Sequence, residues 1–330
     1  LHSTIYEVRF DEDQRLQELI EQICARKENS ITGQGHSLAM SLASSRMSPT
    51  ALLGHRSGGL EGIKQLKVLR AQMEQKSSRI ELLGKFKSLH DKILVANKEF
   101  LVIAEPEHRS QLISDIDSVW GTSLGAATDS PLELPPVRER VRQAWSTTTA
   151  VNFCAKAYPT VASGHPDNAP LQVLAGFMRN GYLHRAIREQ GGAYGGGASQ
   201  DASSASFRFF SYRDPRLQET LADFDAAIDW VISSEHKPHQ LEEAILGVIA
   251  SLDKPASPAG EAKQAYFNRA FGRTLAHRAG FRKQILSITT ADLKRVAQLY
   301  LSPEKASIGI ICNKESADSL KIENLEIVNL

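Results

Sequence analysis

Residues 188–199 read REQGGAYGGGAS, five glycines and one tyrosine in twelve positions. Glycine enters left-handed backbone without a steric penalty and weakens the interior of a helix or strand. A run this dense must therefore end whatever element precedes it. The preceding element reads as a long helix over 164–192, with Leu171, Leu174, Met178 and Tyr182 along one stripe. Asp167 or Asn168 can cap its start, and Gly191 and Gly192 supply a left-handed stop.

A phosphate cradle does not fit this run. Dinucleotide fingerprints place glycines first, third and sixth ahead of a helix, whereas these stand at 191, 192, 195, 196 and 197, after one. The C-terminal end of a helix dipole is negative and repels phosphate. GxxxxGK[ST] occurs nowhere in the sequence.

What the run does is place two polar side chains. Arg188 falls in the last turn of the helix and Tyr194 opens the extended segment six positions on. A guanidinium offers a planar fork to carboxylates and carbonyls, and a phenol can donate to a developing oxyanion. Gly195, Gly196 and Gly197 carry no side chains, so another backbone can approach the strand. The alternative is structural: an arginine complementing the helix dipole and a tyrosine at the rim of the core.

Elsewhere helices and strands alternate without a regular strand-helix-strand rhythm. RLQELIEQICARK carries Leu16, Leu19, Ile20 and Ile23 at helical spacing; Pro49 and Gly58–Gly59 then interrupt any long element. A second helical stripe holds Ile63, Leu66, Leu69 and Met73, followed by a strand at 100–104 and a helix launched near Pro106. Pro131, Pro135 and Pro136 mark a linker over 121–143 between a first domain, 1–120, and a second, 144–330. In the second domain, strands are expected over 144–158, FRFFSYRDP and ASIGIICN. Helices are expected over 216–233, 238–252, 258–274 and 289–301, the last opened by the capping signal TTAD. The pattern is α+β, helices over one face of a mostly antiparallel sheet.

Composition excludes several functions. The 330 residues carry 39 Lys+Arg against 38 Asp+Glu, a net charge of +1, so no basic surface for nucleic acid is indicated. No apolar run approaches the roughly 20 residues that span a bilayer, and no membrane partner is expected. Cys24, Cys154 and Cys312 form no CxxC pair, which leaves buried or idle thiols in a reducing compartment. His236 and His239 in HKPH have no carboxylate between them, and Pro238 disfavours a metal-binding helix there, so a solvated loop is expected. His184, four positions before Arg188, either packs or lines a binding space. The opening LHSTIYEVRF lacks a methionine and a signal pattern, and reads as an internal start with the first domain truncated.

The strings LHRAIREQGGAYGGGAS and SYRDP resemble the C-terminal portion of presequence-protease-like zinc metallopeptidases of the pitrilysin (insulinase) type. The resemblance is strong over 150–310 and weaker over 1–120. It implies two pitrilysin-type domains, the later part of a third and a complete fourth, in a chain whose zinc bowl lies upstream. It further implies that Tyr194 donates to the oxyanion and Arg188 binds substrate, with Gly195, Gly196, Gly197 and His184 lining the chamber. No HxxEH or HExxH occurs here. The zinc cofactor is thus expected on the missing N-terminal half, the implied partner, and this chain alone should not hydrolyse peptides. The alternative is a non-catalytic structural or peptide-binding subunit of the same fold. Unstructured peptides are the implied substrates. A bacterial cytoplasm is the expected compartment, with the mitochondrial matrix or plastid stroma as alternatives.

Overall fold

The computed structural model describes residues 2–121 and 132–330. Pro131 and most of the proline-bearing stretch before it lie outside the described residues. Two compact units are present, each gathered from separate lengths of chain.

One unit comprises 1–24, 66–133 and 255–277. Its described elements are helical: α1 (His2–Tyr6), the start of α2 (Asp13–Ser44), the end of α4 (Leu60–Gln72), α5 (Lys76–Val95), α6 (Arg109–Trp120) and α10 (Pro258–Ala270). Between α2 and α4 lies α3 (Pro49–Gly58). Arg79 ties this unit together, donating from Nε to Asp13 at 3.0 Å and from Nη1 to the Met73 carbonyl at 2.7 Å. The strand expected at 100–104 is not formed. Phe100, Leu101, Val102 and Ile103 stay exposed without a ladder partner among the described residues, and an apolar run alone does not make a strand.

The other unit comprises 25–65, 134–254 and 278–330 and holds one six-stranded sheet. Its strands are β1 (Arg142–Ser146), β2 (Phe153–Pro159), β3 (Gly195–Asp201), β4 (Ser206–Tyr212), β5 (Ser307–Cys312) and β6 (Glu326–Asn329), in the spatial order β3-β4-β2-β5-β1-β6. The β3–β4, β4–β2 and β2–β5 pairs are antiparallel, and β5–β1 and β1–β6 are parallel. The expected single strand over 144–158 is two strands. Between them the Thr149 hydroxyl donates to the Val151 carbonyl at 3.0 Å and accepts its N–H at 3.3 Å, local bonds that compete with a continuous ladder.

Strand alternation sends Cys154, Tyr158, Phe207, Phe209, Ile308 and Ile310 to one face. Packed there are α7 (Asn168–Met178), a π-helix continuing it (Arg179–Gln190), α8 (Gln218–Ser233), α9 (Pro238–Leu252) and α12 (Thr290–Tyr300). The same unit contains α11 (Leu275–Leu286) and α13 (Lys314–Ser319). The second face is not bare, as helices on one face alone would leave it. Leu38, Ala39, Leu42 and Ala43 of α2 cover Phe153, Ala155, Ala157 and Ile311. Gly309 makes this contact possible, because a Cβ there would stand 2.6 Å from the Ala39 carbonyl oxygen.

The TTAD cap forms as expected: the Asp292 N–H donates to Thr289 Oγ1, and the Thr289 N–H donates back to the Asp292 carboxylate. Asp167 precedes α7 but makes no side-chain cap. Its carboxylate instead receives Arg295 Nη2 and the Tyr300 hydroxyl, both at 2.7 Å, fastening α7 to α12. The hydrogen bond from Arg295 holds the Asp167 carboxyl below the usual range. A depressed folded-state pKa contributes stability that is present above the ordinary carboxylate pKa and lost as pH falls through the folded value. Asp167→Asn is therefore expected to lower stability by about 1–2 kcal/mol at pH 7, and by progressively less as urea midpoints are taken toward pH 3.

Candidate functional site

The helical stripe read from the sequence changes phase where the π-helix begins. Leu171, Leu174 and Met178 are buried, and the next fully buried side chain is Leu183, five positions on, with Tyr182 only half-buried. This spacing accords with i→i+5 bonding, a geometry concentrated at functional sites. Its end is a built turn. The Gly192 N–H donates to the Arg188 carbonyl and the Ala193 N–H to the Ile187 carbonyl, both at 3.1 Å, and Gly192 takes φ +78. Only glycine adopts that φ at no cost, so Gly192 is the left-handed stop, while Gly191 keeps a right-handed conformation.

Arg188 and Tyr194 therefore stand on the two sides of one turn. Arg188 is exposed, and no described residue offers its guanidinium a hydrogen bond or an ion pair. Tyr194 is 67% exposed and so is not core rim. Its backbone N–H donates to the Arg213 carbonyl at 3.4 Å, and its ring meets Tyr212 edge-on, centroids 5.4 Å apart at 86°. Tyr212 is held in turn by the His36 ring at 4.8 Å and by the Arg213 guanidinium at 5.4 Å. The Tyr194 ring is thus supported from behind while its hydroxyl has no hydrogen-bond partner among the described residues. No direct bond joins Arg188 to Tyr194.

The three glycines that follow differ in what they do. A Cβ on Gly195 would meet nothing within 4 Å, so that position is open. A Cβ on Gly196 would stand 2.8 Å from Ile187 Cγ2 and 3.1 Å from the Phe210 carbonyl oxygen, so Gly196 lets β3 pack on the π-helix. At Gly197 the nearest atoms, of Arg179 and Phe210, lie at an ordinary 3.4 Å. β3 is an edge strand, paired only with β4, and presents a row of backbone donors and acceptors outward. His184 pairs with Glu189 at 3.3 Å on the exposed surface of the π-helix.

The HKPH segment differs from a solvated loop. His236 packs edge-on against Trp230 and Phe177, centroids 4.6 and 5.0 Å away, and its Nε2 bonds the Val231 carbonyl. Pro238 opens α9 at its first turn, where a missing N–H costs nothing. No group of three His, Cys, Asp or Glu among the described residues is placed to hold a metal. His236 is committed to its carbonyl and its aromatic neighbours, so these residues do not fit a zinc site. All three cysteines are buried, and burial pushes the Cys312 thiol up to about 11 and the Cys154 thiol higher still. No described helix is long and apolar enough to cross a membrane.

Sequence reasoning did not find Tyr212, Arg213, Arg216 or Asp223 as supports of this turn. The available signal was the string SYRDP, which precedes Arg216 and contains two of them.

The sheet, its helical layers and the turn define a fold shared with pitrilysin-like domains. The chain superposes on pitrilysin with a TM-score of 0.59 at 14% identity, over 98% of this chain and 34% of that one. It superposes on the peptidase M16 inactive domain from Pseudomonas fluorescens with a TM-score of 0.55 at 14% identity, over 90% of this chain and 71% of that one. The family described as PreP C-terminal domain matches residues 142–313, and a second family, described as associated with subfamily C of the M16 peptidases, matches residues 1–69. The chain belongs to the presequence-protease family of M16 peptidases, as a C-terminal portion. The mitochondrial presequence protease of Yarrowia lipolytica is 32% identical over 295 residues, 88% of this chain and 29% of that protein. The chain spans about three tenths of the length of the curated relatives it matches.

Proposed function

We propose that this chain is the substrate-clamping part of a presequence-protease-like zinc metalloendopeptidase that degrades unstructured peptides in a closed chamber. The observation that carries the proposal is the Arg188–Tyr194 pair. Both side chains are exposed and uncommitted on one braced turn, at the head of an open-edged strand. Arg188 binds backbone carbonyls or the C-terminal side of the peptide, and the Tyr194 hydroxyl donates to the oxyanion that develops at the scissile carbonyl. The free edge of β3 can hold an extended peptide through main-chain bonds, with Gly195 leaving space for it. Gly196 contributes by packing rather than by contact, and His184 lines the approach.

On this reading the partner is the N-terminal half of the same polypeptide, and zinc resides there rather than on this chain. The compartment is the mitochondrial matrix, supported by the names of the relatives, which are mitochondrial presequence proteases. A second reading, a non-catalytic pitrilysin-like subunit that binds peptide, draws on the absence of a metal-binding group among the described residues. Peptide cleavage by the full polypeptide separates the two.

Arg188→Ala tests the clamp. Because the guanidinium engages substrate before and during reaction, KM is expected to rise roughly 10-fold with kcat little changed, measured by steady-state cleavage of a fluorogenic peptide. A KM that stays put removes Arg188 from substrate binding.

A further inference from the structure

The loop after β4 has no part in the reading above, yet it reaches the turn that carries Arg188 and Tyr194. Asp214 in this loop is fully buried. Its backbone exchanges two hydrogen bonds with Asn152, at 2.8 and 2.9 Å. Its carboxylate accepts the Thr220 hydroxyl at 2.7 Å and the Arg216 N–H at 3.0 Å. The loop is thereby fixed to the residue preceding β2 and to the start of α8.

From this anchored loop Arg216 extends to the end of the π-helix. Its Nη2 donates to the Ala186 carbonyl at 3.3 Å and to the Asp223 carboxylate at 2.8 Å. The guanidinium fills the space where a Cβ on Gly191 would stand. It therefore touches the turn on both sides of Arg188, two residues before and three after. A glycine pair in a turn has wide backbone freedom, and a charged donor on a fixed base removes it. Asp223 keeps the half-buried guanidinium neutralised and aimed.

We infer that Arg216, held by Asp223, is a positioning residue that sets the pose of Arg188 and Tyr194 through the Gly191 turn. The inference rests on the reading of that pair as substrate contacts. Gly191 is then glycine because the guanidinium needs its side-chain space, a role distinct from the left-handed stop at Gly192. Displacements of about 1 Å at a reacting group are enough to lower rates about 10²-fold, so a turn released from this brace should be slow although folded.

The test is a double-mutant cycle in the full-length protease, with kcat and KM for an unstructured fluorogenic peptide read well below each variant's melting temperature. Arg216→Ala is expected to lower kcat/KM by about 10- to 10²-fold, with Arg216→Lys retaining more of it. Asp223→Asn, which conserves volume, should reproduce part of the loss and carries the same test if Arg216→Ala does not fold. In a background already holding Arg188→Ala and Tyr194→Phe, Arg216→Ala should have almost no further kinetic effect. A merely structural arginine would lower the melting temperature and leave kcat/KM in place, or add its full loss in that background; either result overturns the inference. If Arg188→Ala and Tyr194→Phe are themselves silent, the functional reading fails first, and this inference with it.

Discussion

Replacing Tyr194 by phenylalanine in the full protease is expected to lower kcat about 10²-fold and leave KM nearly unchanged, the usual scale for one lost oxyanion donor. The substitution is clean because the ring and the hydroxyl do different things here. The ring is stacked edge-on against Tyr212, itself supported by His36, and phenylalanine keeps that contact. The hydroxyl has no hydrogen-bond partner among the described residues, so its removal strips no structural bond. Stability should therefore stay within about 0.5 kcal/mol of wild type, as for surface changes away from special features. A loss of rate with an unmoved melting temperature would place the hydroxyl in the transition state. An unchanged kcat would remove Tyr194 from the chemistry, leaving the clamp to Arg188 alone.

What the sequence makes legible follows from how local each determinant is. The bounds of α9 are as expected, and α12 starts at its TTAD cap, because caps and apolar stripes act within a few residues. Strand β5 is visible as an unbroken apolar run, and its Gly309 also carries a readable sign of a close backbone approach, which α2 supplies. Elements whose stability comes from distant partners are not readable. Residues 100–104 are as apolar as β5 but have no strand beside them. Helix α5 escapes a reading by periodicity because Ile80, Phe86, Leu89 and Ile93 remain exposed and make no clear stripe. The expected helix over 258–274 stops at Ala270, ahead of Gly272 at φ +66. At the site, Arg188 and Tyr194 are marked by the glycines between and after them. Tyr212 and Arg216 lie eighteen or more positions further along and reach the turn only through tertiary structure.

Phe209→Ala is expected to destabilise the chain by about 3–5 kcal/mol, the range for emptying a fully buried aromatic site. Phe209 stacks on Phe224 at 5.4 Å and 26°, and meets Phe207 and Tyr158 edge-on at 5.3 and 6.0 Å. These rings come from three elements, so the cavity cannot close without moving β2, β4 or α8. Its neighbour Phe210 points to the opposite face, half-buried, with His36 at 5.8 Å. Phe210→Ala should therefore lose only about 1–2 kcal/mol. Urea denaturation of the two variants, with m-values unchanged, measures the difference directly. Equal losses would mean that β4 is not paired in the register Ala198–Phe209, since a shift of one residue exchanges the two faces. The same shift would turn Gly196 away from Ile187 and detach β3 from the π-helix, so this stability comparison also tests the frame that holds Tyr194.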